Sequence, residues 1–299
     1  MTAVERLVQQ GILQKDVPLG PYTTYKSGGP ARYFADLVDE SALETLASSG
    51  IAGRHAVLVL GRGSNLVVAD RGFNGLVVRL GKGFTGMRFE GLCVTAGGIV
   101  PLPRLARAAV EEGLTGLEFF VGVPGSVGGA VRQNAGCFGL ETKDVLVEAR
   151  LVDLSSGERR SATAGQLDFD YRHSNVGATD LVVEATFRGR PGEEAVGKEK
   201  LREIIRWRRD HQPGGTLNAG SVFKNPGDMA AGALIDELGL KGLCVGDVCV
   251  SYKHANFFVA GPNATSDDIR RLVREVKSRV FEETGTNLEP EIQFVGFEE

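Results

Sequence analysis

The chain has 299 residues, 38 of them acidic and 34 basic, for a net charge of −4 at pH 7 and a pI near 5.7. That balance excludes a global positive field drawing the chain to nucleic acid or an anionic membrane, so anionic small molecules must be held by local basic side chains or main-chain N–H groups. No apolar run nears the roughly 20 residues of a membrane span and no secretory leader is visible, so the expectation is a cytoplasmic monomer of about two domains that meets neither nucleic acid nor membrane.

Short β-branched runs between glycine turns predict strands at 31–38, 56–60, 75–80, 92–96, 146–154 and 181–187. Helices are predicted at 41–49 and at 102–112, the latter with Pro101 and Pro103 at its entry. Strands outnumber helices in this part, which reads as α+β and not as a regular βαβ array. Pro191-Gly192-Glu193-Glu194 marks a boundary. Beyond it, helices are predicted at 197–210 and 229–238, with a strand at 256–260. Thr265-Ser266-Asp267-Asp268 opens an amphipathic helix with Ile269, Leu272, Val273, Val276 and Val280 on one face. A strand at 290–295 closes the chain.

The cysteines at 93, 137, 244 and 249 form no Cys-x-x-Cys pair, and the histidines at 55, 173, 211 and 254 are scattered. Neither a metal site nor a disulfide framework is expected, and the cysteines read as small reduced fillers. His173 and His254 read as structural, and Trp207 as a packing anchor. Arg206, Arg208 and Arg209 fit either a solvated basic face or a diphosphate contact.

Glycine is the compositional outlier: 41 residues, nearly twice the usual share of about 7%. They cluster at 28–29, 61–63, 97–98, 122–129 and 136–139, which implies tight turns and close approach of something to the backbone. Gly61-Arg62-Gly63-Ser64-Asn65 follows a predicted strand, but Leu66-Val67-Val68 comes next. The third glycine and the helix start of a dinucleotide fingerprint are therefore missing, and there is no P-loop. What remains is a nest of N–H groups, with Ser64 and Asn65, able to hold a pyrophosphate. Gly122-Val123-Pro124-Gly125-Ser126-Val127-Gly128-Gly129-Ala130 is denser still and leads into Val131-Arg132-Gln133-Asn134-Ala135-Gly136, whose donors suit a flat heteroaromatic ring. Two separated glycine loops fit a long ligand with a diphosphate middle.

The most informative stretch is Asn218-Ala219-Gly220-Ser221-Val222-Phe223-Lys224-Asn225-Pro226. It sets one hydroxyl on a pliant backbone with an ammonium and an amide close by, a combination suited to moving a proton beside developing negative charge. The bland alternative is a loop whose serine satisfies its own backbone.

Taken in order, residues 61–65, 122–130, 134–136, Tyr171-Arg172 with Ser174, 219–226 and Leu288-Glu289-Pro290-Glu291 resemble the UDP-N-acetylenolpyruvoylglucosamine reductase family. The resemblance runs from about residue 18 to 296. With 49 positions from Arg172 to Ser221, the chain resembles the shorter type that lacks an inserted capping loop. Cys137 and Ala260 depart from the commonest pattern, at positions that carry no catalysis.

The resemblance implies an α+β chain: a two-lobed FAD-binding domain of the vanillyl-alcohol-oxidase type over 1–195, its lobes meeting near 82, and a smaller α+β substrate domain over 196–287. A C-terminal strand segment, 288–299, would carry a catalytic glutamate. It further implies non-covalent FAD, NADPH as hydride donor, and reduction of UDP-N-acetylglucosamine enolpyruvate to UDP-N-acetylmuramate for peptidoglycan, hence for cell shape and division. FAD would be held by Gly61, Arg62, Gly63, Ser64, Asn65, Gly122, Pro124, Gly125, Ser126, Gly128, Gly129, Asn134, Ala135 and Gly136. Substrate contacts would come from Tyr171, Lys224 and Asn225, and catalysis from Ser221, Arg172 and Glu291.

These side chains suit that chemistry. Hydride addition to an enol ether leaves charge on carbon and in the adjoining carboxylate, which calls for a permanent cation, Arg172, and a proton donor, Ser221. A carboxylic acid in place of that serine would ionise beside the arginine. Glu291 is preferred over Glu289 for the third role on the family pattern. Two other readings compete: an oxidase of the same fold, which would not need Ser221, and a non-catalytic nucleotide-sugar binder, which would be colourless.

Overall fold

The computed structural model describes residues 2–298 and divides into two compact units that do not follow chain order. One takes in the chain up to Val17, then Arg32–Arg62 and Asn74–Arg206; the other takes Pro18–Ala31, Gly63–Phe73 and the chain from Trp207 onward.

In the first unit, strands Gln14–Pro18, Pro30–Leu37, Phe73–Leu80 and Val57–Val59 form a sheet in that order. Val57–Val59 runs parallel to Phe73–Leu80, with Val57 opposite Leu76. Helix Ala3–Gln9 starts on a Thr2–Glu5 capping box, and helix Glu40–Ser48 starts where the Asp39 carboxylate accepts from the Ala42 N–H. Both donate apolar side chains to one core, Leu7 with Leu43, Leu46, Leu76 and Val78. A second, antiparallel sheet runs Arg159–Thr163, Leu146–Asp153, Asp180–Arg188, Cys93–Gly97, Met87–Glu90. Helices Leu102–Glu111 and Val127–Gln133 bury Leu105, Ala109, Val127 and Val131 in its core, beside Phe120 and Phe187.

In the second unit, helix Ser266–Thr284 is closed at its start by a Thr265–Asp268 capping box and at its end by Gly285 at φ 70°. The Asp70 carboxylate also accepts from the Ser266 and Asp267 N–H groups, 3.0 Å each. Its buried face holds the five residues that helical spacing predicted, a burial on the order of 10 kcal/mol before chain entropy is counted. It covers a small sheet of Cys244–Val245, Val248–Val250 and Phe258–Ala260. Strand Gln293–Val295 pairs in parallel with Leu66–Val68, which draws 63–73 into this unit.

The α+β class is as expected, and most predicted strands and helices stand within a residue or two of their predicted limits. Sequence reading missed helix Ala3–Gln9 and the strands Met87–Glu90 and Arg159–Thr163, which are too short for a period to stand out. It also missed helix Val127–Gln133, because two of its first three residues are glycine.

Two expectations need correction. Cys244 and Cys249 are not reduced fillers: they face each other in register across the hairpin and are joined in a disulfide, Cα–Cα 4.1 Å. The turn around Gly246, at φ 56°, folds the chain back so that a four-residue gap becomes a cross-strand pair. Cys93 and Cys137 are outside any disulfide. Trp207 is no buried anchor; it is exposed and stacks on His211 at 4.6 Å.

Candidate active site

A cleft in the first unit draws on three of the glycine clusters, through Gly61, Gly98 and Gly128-Gly129. Strand Val57–Val59 delivers Gly61 against Ser126, the residue that caps helix Val127–Gln133 by accepting from the Gly129 N–H. A Cβ on Gly61 would stand 2.7 Å from the Ser126 Oγ, and one on Gly128 would stand 3.2 Å from the Gly98 carbonyl oxygen. The bare backbones thus let strand ends and helix start converge on one pocket. Its wall includes Gly61, Gly98, Ser126, Gly128, Gly129, Arg132 and Asp180, with an apolar floor from Val59, Leu60, Leu80, Ile99 and Val182 among others.

Arg132 supplies charge at this wall. Its guanidinium donates to the carbonyls of Val176 (2.6 Å) and Gly177 (2.8 Å). Burial holds its pKa below the ordinary arginine value, opposed by the carboxylate of Asp180.

Among the described residues, the main-chain N–H groups of Gly61 and Arg62 donate no hydrogen bond. Bare glycine walls, undonated N–H groups and a fixed cation are what a nucleotide cofactor with a pyrophosphate requires, so the residues present fit FAD.

Not every predicted FAD residue lies at this cleft. Gly63, at φ 62°, is forced by Tyr22, whose carbonyl oxygen would meet a Cβ at 2.1 Å. Asn65 donates its side-chain amide to the Glu291 carbonyl, 3.0 Å. Gly122 is packed on Cys137 and Ile204, while Gly125 accepts from the Leu102 N–H and Pro124 is exposed. Asn134, Ala135 and Gly136 build the hairpin with Leu140 and Glu141: Ala135 accepts from Thr142, and a Cβ on Gly136 would strike the Leu140 carbonyl at 2.4 Å.

That hairpin positions Arg172. Asp170 and His173 exchange main-chain hydrogen bonds around a tight turn, leaving Arg172 at φ 56°, a left-handed conformation uncommon for a residue with a side chain. Its guanidinium lies over the Tyr171 ring at 4.8 Å, donates to the Gly136 carbonyl at 3.3 Å and stands 3.6 Å from the Glu141 carboxylate. Asn134, fully buried and itself left-handed, donates to both Glu141 and the Asp170 carbonyl, 3.0 Å each. Glu141 was not singled out from sequence. Only the proximity of Asn134-Ala135-Gly136 to it hinted at a partner.

In the second unit, Ser221 sits on an extended segment bridged to Phe257. Gly220 precedes it at φ 77° with no atom within 4 Å of a built Cβ. The serine is half-buried, and among the described residues its hydroxyl makes no hydrogen bond. The loop-serine alternative, in which it satisfies its own backbone, is therefore not what is found.

Glu291 lies alongside, its N–H donating to the Val222 carbonyl at 2.8 Å. Glu289 is instead engaged by the Lys224 ammonium at 2.8 Å. Asn225 accepts from the Ala231 N–H and so closes the start of helix Ala231–Glu237, whose N-cap Ala230 has no side-chain group to do so. At the end of helix Glu194–His211, Arg209 donates to Asp210 and Arg208 to Gln212 just beyond it.

A family model described as FAD binding domain matches residues 40–163, and one described as UDP-N-acetylenolpyruvoylglucosamine reductase, C-terminal domain, matches 212–295. A UDP-N-acetylenolpyruvoylglucosamine reductase from Parvibaculum lavamentivorans is 41% identical, over 98% of this chain and 94% of its own length. One from Azorhizobium caulinodans is 40% identical, over 96% and 92%. The crystal structure of the UDP-N-acetylenolpyruvylglucosamine reductase from Thermus caldophilus superposes with a TM-score of 0.83 at 34% identity, covering 95% of this chain and 99% of that one.

Proposed function

Because the chain belongs to the UDP-N-acetylenolpyruvoylglucosamine reductase family and carries an FAD-binding domain, we propose that it uses NADPH to reduce the enolpyruvyl ether of UDP-N-acetylglucosamine enolpyruvate to UDP-N-acetylmuramate. The family is one of oxidoreductases of peptidoglycan synthesis. In this reading residues 1–195 serve FAD, 196–287 serve the sugar nucleotide, and 288–299 bring Glu291. The enzyme acts in the cytoplasm, as a monomer.

FAD, when bound, would supply the hydride that reduces the enol ether. Gly61, Ser126, Gly128 and Gly129 leave the cleft wall bare for it, the N–H groups of Gly61 and Arg62 offer donors to its phosphates, and Arg132 adds a charge that is never lost at neutral pH. Reduction of the ether leaves an enolate-like charge shared between carbon and carboxylate. Arg172 meets that charge with a guanidinium held in place by Glu141, the Gly136 carbonyl and the Tyr171 ring, so little reorganisation is needed as charge develops. The Ser221 Oγ gives its proton to the carbon; an alcohol is a weak acid in water, but the carbon is a strong base and nearby positive charge stabilises the alkoxide. Glu291 orients the carboxylate end, and Lys224 and Asn225 contact the substrate.

The observation that carries this reading is the unengaged Ser221 hydroxyl on a segment shared with Glu291. The test is anaerobic and uses the purified, FAD-loaded protein. NADPH should bleach the flavin, and the enolpyruvyl sugar nucleotide, not oxygen alone, should restore its colour while UDP-N-acetylmuramate appears. Oxygen as the only effective acceptor would make the chain an oxidase.

A further inference from the structure

We propose that Asn256 is a positioning residue for proton delivery: its buried side chain clamps the backbone that presents Ser221. The inference rests on the role given to Ser221 above.

Asn256 is 3% exposed, and its carboxamide behaves as a second peptide group set against the Phe223 main chain. The side-chain NH2 donates to the Phe223 carbonyl at 2.8 Å, and the side-chain oxygen accepts from the Phe223 N–H at 2.9 Å. Its main-chain carbonyl accepts from Val222 at 2.8 Å, and the next residue, Phe257, bridges Ser221. The segment 221–223 is also held on its other edge, where Val222 accepts from Glu291.

The hydroxyl of Ser221 cannot hold itself through its own hydrogen bonds, so its aim is set by its backbone. Asn256 supplies two of the bonds that fix that backbone. Proton transfer to carbon is steep in distance and angle, whereas burial of Val222 and Phe223 would keep the fold without this clamp. A carboxamide is required because one end must donate and the other accept. A carboxylate in its place would set a second acceptor against the Phe223 carbonyl; a carboxylic acid would restore the pair.

The Asn256 N–H donates to the His254 Nδ1 at 3.2 Å, and that ring faces Lys241, Asp236 and His211. These groups are the same residues in wild type and both variants, and Asn256→Ala adds no ionisable group, so each variant rate is taken as a ratio to wild type at the same pH, with the alanine ratio as the reference for the aspartate one.

The experiment uses full-length, FAD-loaded Asn256→Asp and Asn256→Ala, with both half-reactions followed by stopped flow. NADPH bleaching should change less than about threefold, while reoxidation by the enolpyruvyl sugar nucleotide should slow about 30-fold in both variants near pH 8. For Asn256→Asp alone, the ratio should recover to within about fivefold near pH 5.5, as a buried carboxyl takes up its proton. Hydrogen exchange on the same proteins should be at least about tenfold faster at the Val222 and Phe223 amides in Asn256→Ala, with the cleft of the first unit unchanged.

Unchanged reoxidation in a variant whose amides exchange faster would overturn the inference. So would equal loss in both half-reactions, or a loss in Asn256→Asp that no acidification relieves. If wild type itself is not reoxidised by the sugar nucleotide, the role of Ser221 falls first, and this inference with it.

Discussion

The cleft of the first unit and the serine segment of the second are made in opposite ways. The cleft is shaped by leaving side chains out: Gly61 and Gly128 carry nothing where a Cβ would enter a neighbour, and Gly129 faces open space. The serine segment is shaped by tying side chains down, with Asn256, Asn65, Lys224 and Asn225 all committed to hydrogen bonds around residues 221–231 and 289–291. One device would let a large flat ligand lie against main chain; the other ties down the backbone that carries a single hydroxyl. The lesson is that a glycine cluster marks where a ligand goes, but not which glycines touch it.

The largest effect expected on this contrast comes from the guanidinium proposed to meet the developing charge, Arg172. Arg172→Ala should slow reoxidation by the enolpyruvyl sugar nucleotide about 10³-fold, and Arg172→Lys should recover little of it, since an ammonium cannot replace a two-pronged donor. Near wild-type reoxidation in the lysine variant would reduce Arg172 to a diffuse charge.

Next come the two kinds of glycine. Gly63→Ala meets both a positive φ and the Tyr22 carbonyl at 2.1 Å, and should destabilise the protein by about 3 kcal/mol or more in urea denaturation. Gly129→Ala has room, with its nearest atom at 3.6 Å; it should change stability by about 1 kcal/mol or less yet loosen FAD about tenfold, read by flavin fluorescence on dilution. If the two variants behaved alike, the distinction between packing and ligand-facing glycines would fail.

A smaller effect is expected at the hairpin. Cys244→Ser with Cys249→Ser removes a very short closed loop and should lower stability by about 2 kcal/mol, with thiol counting on the unfolded wild-type protein rising by two after reduction.

Smallest is a pH effect. Burial lowers the pKa of His254, aided by the Lys241 charge, so the unfolded chain binds the proton more readily than the folded one. The stability this contributes is complete above the ordinary histidine value of 6.5 and is lost as pH falls below it. His254→Gln should flatten the decline in melting temperature between about pH 7 and pH 5.

Much of this was legible in the chain. The helix Ser266–Thr284 declares itself through one apolar face and a capping box, because local periodicity and packing agree there. Strand Gln293–Val295 was legible as a strand but not as the parallel partner of Leu66–Val68, a pairing across more than two hundred residues that no local pattern encodes. The order of motifs picked out Ser221, Arg172 and Glu291 as candidates. It did not separate Gly129, which lines the cleft with room for a Cβ, from Gly63, Gly122 and Gly136, which are demanded by neighbouring carbonyls and side chains, or from Gly61 and Gly128, which line the cleft and are also kept bare by Ser126 and the Gly98 carbonyl. Arg132 was legible as a donor but not in its tie to the Val176 carbonyl, and Glu141 was hidden because its role depends on a partner distant in sequence, Arg172.

The most direct test of the central claim is Ser221→Ala followed through each half-reaction separately. The account predicts flavin bleaching by NADPH within about twofold of wild type and reoxidation by the enolpyruvyl sugar nucleotide slowed roughly 10²-fold or more. Equal slowing of both steps, or unchanged reoxidation, would contradict it.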